Sequence, residues 1–194
     1  QSKPNLKMNK ALLIIDIQND YFENGKMALV GSDKASENAK LLLEQFRKEN
    51  LPVIYIQHLA TRPTATFFIP KSEGAKIHEN VKPVGHEKII IKHYPNSFRE
   101  TDLLEYLKAN KITDLTICGM MTHMCIESST RAAYDFGFKC TVIGDACATK
   151  DLEFNGQITK AKDVQMAFLS ALDGTFAEIK TTAEFIKTKK EDNK

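Results

Sequence analysis

Apolar residues fall in two rhythms along this chain, and their alternation sets out an architecture. Ala11-Leu12-Leu13-Ile14-Ile15 is an unbroken apolar run closed by Asp16, the pattern of a strand buried on both faces of a parallel sheet. In residues 36–50 the spacing changes, with Ala39, Leu42, Leu43 and Phe46 recurring at helical intervals. Residues 52–56 read as a second strand. Ile89-Ile90-Ile91-Lys92 reads as a third that ends on a charge, and a helix at 101–110 carries Leu103, Leu104 and Leu107 on one stripe. The fourth strand is 114–118 and the helix after it 125–136, closed by Gly137 as a C-cap. A fifth strand at 139–143 leads into the turn Asp145-Ala146-Cys147-Ala148-Thr149, a helix at 155–171, a short sixth strand at 176–180 and a C-terminal helix.

Strands and helices alternating at this spacing imply right-handed βαβ crossovers. The predicted fold class is α/β, a single-domain, doubly wound, mostly parallel six-stranded sheet with helices on both faces. The domain spans 8–187, with 1–7 and 188–194 as polar tails. Residues 60–87 break both rhythms, carrying Pro63, Pro70, Gly74, Pro83 and Gly85. A structureless stretch of that length inside a domain usually serves as a lid or binding loop. Its Phe67 and Phe68 read as an exposed pair that buries itself against a partner chain, which predicts a homo-oligomer, a dimer or tetramer.

Composition narrows the partners. The 27 basic and 25 acidic residues leave a formal charge of +2, with no basic face for a nucleic acid. No apolar run reaches the length of a membrane span and no signal-peptide pattern precedes Met8, so a cytoplasmic protein with no membrane partner is expected. Four cysteines in 194 residues are too few for a disulfide scaffold and lack the histidines of a zinc module. Neither G-x-G-x-x-G nor G-x-x-x-x-G-K-[ST] follows a predicted strand, so nucleotide and flavin cofactors have no support.

Open α/β sheets bind ligands at the carboxyl ends of their strands, where the reading puts Asp16, Lys92 and Cys125. Cys125 follows Leu115-Thr116-Ile117-Cys118-Gly119-Met120-Met121-Thr122-His123-Met124, between a strand and a helix. A cysteine at a helix start has its thiol pKa lowered by the helix dipole, and the N–H groups that follow can bind an oxyanion. As a small buried hydrophobe it would need no function at all. Asp16 alone reads equally as a cap, and Lys92 alone as a surface ion-pair partner. Together they supply a thiol, a carboxylate to take its proton and an ammonium to balance negative charge.

With those residues in place the chain resembles the isochorismatase-like cysteine hydrolases, which include nicotinamidases, N-carbamoylsarcosine amidohydrolases, ureide and biuret hydrolases and isochorismatases. The resemblance rests on four motifs in order: Leu13-Ile14-Ile15-Asp16-Ile17-Gln18-Asn19-Asp20-Tyr21-Phe22; Ile91-Lys92 with Ser97-Phe98 and Thr101-Asp102-Leu103; Gly119-Met120-Met121-Thr122 with Cys125; and residues 145–149. It implies a Rossmann-like topology, with Asp16 as general base, Lys92 as the charge beside it and Cys125 as nucleophile. It also implies a non-proline cis peptide between Met120 and Met121, with the Met121 and Cys125 N–H groups as oxyanion hole.

The activity implied is hydrolysis of a C–N bond in a small amide, imide or ureide through a thioester. The alternatives are vinyl-ether hydrolysis of the isochorismate type and a catalytically idle subunit used as a scaffold. Pocket walls are expected from Gln18, Phe22, His58, Tyr94, Phe98 and His123. Relatives of the nicotinamidase branch carry an Asp-x-His and a further His for a metal. The corresponding stretch here, Ile56-Gln57-His58-Leu59-Ala60-Thr61, has one histidine and no carboxylate, so no metal and no other cofactor is expected. Some relatives carry a histidine near Gln165, whose role here is open.

Overall fold

Strand β1, Lys10–Ile15, is the middle of the molecule and shows why an all-apolar run was needed there. Its side chains alternate between two separate cores. Leu12 and Ile14 enter one, while Ala11, Leu13 and Ile15 enter the other, all at 1% exposure or less. The computed structural model describes residues 9–192. In it β1 pairs in parallel with β2, Val53–His58, on one side and with β4, Asp114–Met120, on the other. Outward from these lie β3, Lys88–Lys92, next to β2, then β5, Lys139–Ala148, next to β4, and β8, Glu178–Lys180, at the far edge. The order is β3-β2-β1-β4-β5-β8 with every pairing parallel.

Helices cover both faces. Helix α1, Ser32–Lys48, seals one core with Ala35, Ala39, Leu42, Leu43 and Phe46, joined by Phe185 of α5, Thr182–Asp192. The other core is closed by Leu103 and Leu107 of α2, Leu103–Ala109, and by Ala133 of α3, Glu127–Asp135. The six-stranded doubly wound α/β fold is therefore present, and its helices carry the expected apolar stripes.

Three boundaries differ from the reading. Strand β5 runs on through Ala148, so residues 145–148 are strand where a turn was expected. Ala146 and Ala148 pack in one core and Cys147 in the other, a strand alternation masked by small residues. The start of the predicted helix at 155 is instead an antiparallel hairpin of β6, Leu152–Phe154, and β7, Gln157–Thr159, turned by Asn155 and Gly156 at φ 52° and 73°. Helix α4 then spans Ala161–Leu172. Helix α5 continues to Asp192, so most of the expected C-terminal tail is helical. Residues 1–7, the other expected tail, lie outside the described residues.

Candidate active site

The ends of β1, β2, β3 and β4 bring the candidate residues together. Asp16 follows β1 with its N–H on the Ile56 carbonyl at 3.0 Å and its backbone at φ 53°, a left-handed conformation that Asp tolerates better than most residues. In the register of β2 and β3, His58 lies opposite Lys92. Gly119 of β4 lies opposite Ile15, where a Cβ would stand 1.9 Å from the Ile15 carbonyl oxygen, and its φ is 133°. Only glycine lets β4 approach β1 here. The Met120–Met121 peptide beyond it is cis.

Cys125 does not stand at an α-helical N-terminus. It lies inside a single wide turn of π type, Thr122–Ile126, that precedes α3. This turn is pinned by Gln165 of α4: Thr122 Oγ1 donates to Gln165 Oε1 at 2.6 Å, and Gln165 Nε2 donates to the carbonyls of Gly144 and Cys147 at 2.9 and 3.2 Å. The side chain whose role was open is thus a clamp between the cysteine turn and β5.

Lys92, with no exposed surface, is the centre of the cluster. Its Nζ lies 2.8 Å from Asp16 Oδ2, 2.8 Å from His58 Nδ1 and 3.3 Å from Cys125 Sγ. An ammonium has three N–H donors and no acceptor, so the three neighbours use all of them. Asp16 is equally buried, and its Oδ1 accepts no hydrogen bond within the described residues. That oxygen is the site's spare acceptor.

The electrostatics follow from burial and these neighbours. Burial alone would push the Lys92 pKa down, but the Asp16 carboxylate and Cys125 outweigh it and hold the ammonium above its usual value. Burial, with the Lys92 charge second, pushes His58 down to about 4, so its imidazole is neutral and Nδ1 accepts from Lys92. Burial and the Asp16 charge drive the Cys125 thiol well above its ordinary value, against the opposing pull of Lys92. The thiolate expected from a helix dipole is therefore not the resting state: Cys125 rests as a thiol beside a carboxylate. Asp16, His58 and Cys125 offer ligand atoms within 4.8 Å of one another. They already surround a cation, the Lys92 ammonium, which a metal ion would have to displace; the donor set fits a lysine.

The expected pocket residues separate. His58 lines a cavity of about 270 Å³ together with Thr61, Arg62, Phe67, Phe68 and His93. Gln18 does not: it is fully buried, its amide donating to the carbonyls of His58 and Ala75 and accepting from the His58 N–H. Phe22 stacks on His78 at 3.8 Å between centroids, Tyr94 lies under the Arg99 guanidinium, and Phe98 packs on Phe136 and Phe138. None of the three lines the cavity. His123 bonds Thr149 Oγ1 at 2.7 Å, tying the cysteine turn to the end of β5. Nor are Phe67 and Phe68 an exposed pair. Phe68 is 1% exposed and meets Tyr21 edge-on at 4.6 Å.

Two further residues matter that sequence reasoning passed over inside the first motif. Asp20 accepts the Phe68 N–H at 2.7 Å and the Lys26 N–H at 3.1 Å, so a buried carboxylate holds the long loop by its backbone. Tyr21 is 2% exposed, and its hydroxyl pKa is raised by burial and by the charges of Cys125 and Asp16. The Asp-x-x-x-Asp spacing was the available signal for Asp20; nothing in the sequence separated Tyr21 from ordinary core.

The isochorismatase domain profile matches residues 10–184. An uncharacterized isochorismatase family protein of Bacillus subtilis (strain 168), YddQ, is 48% identical over 180 residues, covering 93% of this chain and 100% of its own. A second from the same organism, YrdC, is 38% identical over 182 residues, covering 93% and 96%. The crystal structure of a provisionally assigned isochorismatase hydrolase from Oleispira antarctica superposes with a TM-score of 0.90 at 45% identity, over 96% of this chain and 99% of that one. More distant matches include a streptothricin hydrolase of Streptomyces noursei, 28% identical over 87% of this chain and 58% of that protein, and the nicotinamidase of Escherichia coli (strain K12), 25% identical over 71% and 82%.

Proposed function

The chain belongs to the isochorismatase family of hydrolases, and from that footing we propose that it hydrolyses a C–N bond of a small amide, imide or ureide by way of a cysteine thioester. The observation that carries this reading is the buried Lys92 ammonium shared between the Asp16 carboxylate at 2.8 Å and the Cys125 sulfur at 3.3 Å. Two hydrolase relatives, a nicotinamidase and a streptothricin hydrolase, support it.

In the proposed sequence Asp16 takes the Cys125 proton as the sulfur attacks the substrate carbonyl carbon, so the thiolate exists only as the bond forms. A thiol held protonated by burial and by Asp16 suits that order of events. Lys92 stays protonated throughout and balances the negative charge passed between sulfur and carboxylate. The Met121 and Cys125 N–H groups receive the oxygen of the tetrahedral intermediate. Protonated Asp16 returns its proton to the leaving nitrogen, ammonia or an amine departs, and water activated by Asp16 hydrolyses the thioester. The active form is proposed to be a homo-oligomer in the cytoplasm that needs no metal. Among the described residues no helix is long and apolar enough to cross a membrane.

The test is ammonia or amine release from a panel of small amides, imides and ureides. Cys125→Ala should abolish release and trap no acyl group. Asp16→Asn should lower turnover by about 10²- to 10⁴-fold, with the wild-type acyl-enzyme visible as a mass increase on the peptide containing Cys125. Near wild-type turnover by Cys125→Ala would sink the covalent scheme.

A further inference from the structure

Strand β5 leaves its ladder beside the end of β4 that leads into the cysteine turn. Ile117 of β4 lies opposite Val142, but Gly119, two residues on, lies opposite Cys147, so Cys118 alone faces residues 143–146. Carbonyls in such a bulge lose the partners that a regular ladder supplies, and buried ones must find others. Gly144 lets a partner come close: a Cβ there would stand 2.9 Å from the Leu169 side chain, so α4 lies directly against the bulge. Gln165 is one turn before Leu169 on α4 and shares its face. Its amide nitrogen donates to the carbonyls of Gly144 and Cys147 at 2.9 and 3.2 Å.

Two carbonyls on one side of the amide fix which end is nitrogen. The amide oxygen is left facing Thr122, whose hydroxyl donates to it at 2.6 Å. Thr122 has no exposed surface and opens the turn that carries Cys125. The N–H groups of Met124 and Ile126 both go to the Met121 carbonyl, at 3.1 and 3.2 Å, so the turn is closed on itself. Side chains tie this closed turn to its surroundings, the half-buried His123 to Thr149 at 2.7 Å and the buried Thr122 to Gln165. The Cys125 sulfur, 3.3 Å from Lys92, moves with the turn. A reacting group misplaced by about 1 Å costs about 10²-fold in rate.

We propose that Gln165 is a positioning residue for catalysis, acting through Thr122 to hold the Cys125 sulfur and the Met121 and Cys125 N–H groups in place against Asp16 and Lys92. This rests on the thioester reading and adds to it the residue that carries order from α4 into the site. The whole amide is spent on Thr122, Gly144 and Cys147, so Gln165 acts on the sulfur only through the turn. A side chain of the same length without the amide leaves two carbonyls and a hydroxyl unanswered and the turn free to shift.

The probe is 4-nitrophenyl acetate. Its acetyl group passes to the Cys125 sulfur as 4-nitrophenolate leaves and the thiol proton goes to Asp16; water then releases acetate and restores the thiol. Release by Cys125→Ala, which reports attack by other side chains, is subtracted. In stopped flow, Gln165→Met should lower the maximal acylation rate by about 10- to 100-fold and keep the half-saturating concentration within about threefold. Thr122→Val should do the same, and the double variant should lose no more than either single one. Losses that multiply in the double variant, a loss confined to half-saturation, or a wild-type acylation rate in folded Gln165→Met overturns the inference. Should Gln165→Met fail to fold, Thr122→Val, which removes one bond, decides alone, and a wild-type acylation rate in it overturns the inference. A second arm needs no reaction: amide hydrogen exchange of the peptide spanning 121–128 should speed up by about tenfold in Gln165→Met while that of β1 stays within about twofold. Unchanged exchange in the cysteine turn also overturns the inference. If wild type shows no Cys125-dependent release, the thioester reading falls, and the exchange arm decides whether Gln165 holds the turn.

Discussion

Lys92 is the residue on which the site balances. A lysine without exposed surface is rare unless paired, and its tolerance here depends on Asp16, His58 and Cys125 together. Replacing it with methionine keeps the volume but leaves the Asp16 carboxylate buried with no counter-charge. Lys92→Met should therefore cost about 3–5 kcal/mol in urea unfolding at neutral pH. Adding Asp16→Asn should return part of that loss in a double-mutant cycle; simple additivity would mean that the pair does not interact. His58 carries the pH dependence. Its pKa is about 4 in the fold and about 6.5 in the unfolded chain. Between those values the unfolded state binds the extra proton, so stability is full above pH 6.5 and falls as pH drops toward 4. The urea midpoint of His58→Gln should decline less than that of wild type from pH 7 to 4.5, and parallel curves would contradict the assignment.

At the scale of elements, the tightest constraint lies between β1 and β4. Gly119→Ala must accommodate both φ 133° and a Cβ 1.9 Å from the Ile15 carbonyl oxygen. It should lower stability by about 3 kcal/mol or more, with Ala at Gly85, which has open space and no positive φ, as the mild comparison. Thermal unfolding of the two variants side by side checks this. The strands of the sheet were legible because buried parallel strands are written as apolar runs, and Leu12 to Ile15 could hardly be read otherwise. Asp16, Lys92 and Cys125 were legible because each closes a strand or follows one. The 145–148 segment was not, since Ala, Cys and Ala carry little periodicity. The hairpin at 152–159 hid inside a helix-like composition. Of the expected pocket residues only His58 lines the cavity, because nearness in sequence to a strand end does not say which way a side chain points. Gln18, two residues from Asp16, spends its whole amide on backbone.

For the whole molecule, the large exposed apolar side chains are not where the sequence put them. Phe67 and Phe68 are folded in, whereas Phe154 and Ile158 of the hairpin are 80% and 61% exposed, with Met166 of α4 at 63%. The base of the hairpin is fastened to α4 by Asp151, which accepts the Ala161 N–H at 2.8 Å. Sedimentation velocity at micromolar concentration should show an oligomer, and Phe154→Ser with Ile158→Ser should shift it toward monomer. A monomer in the wild type would count against the homo-oligomer.

The tether of the long loop has a different consequence. Asp20 grips Phe68 and Lys26 through backbone N–H groups, and Gln18, Asn19 and Asp20 bond the carbonyls of Ala75, Glu73, Lys76 and Gly74. These hydrogen bonds hold the loop by its backbone, while the buried Phe68 and Val81 and the glycine at 74, where a Cβ would strike the Asp20 carboxylate, fix its side chains at those positions. The stretch that supplies Arg62 and the cavity wall is thus a cassette. Its remaining, exposed positions can be exchanged by grafting while Asp16, four residues before Asp20 in the chain, keeps its place, so that the cavity wall and the Asp16–Lys92–Cys125 cluster are free to change apart.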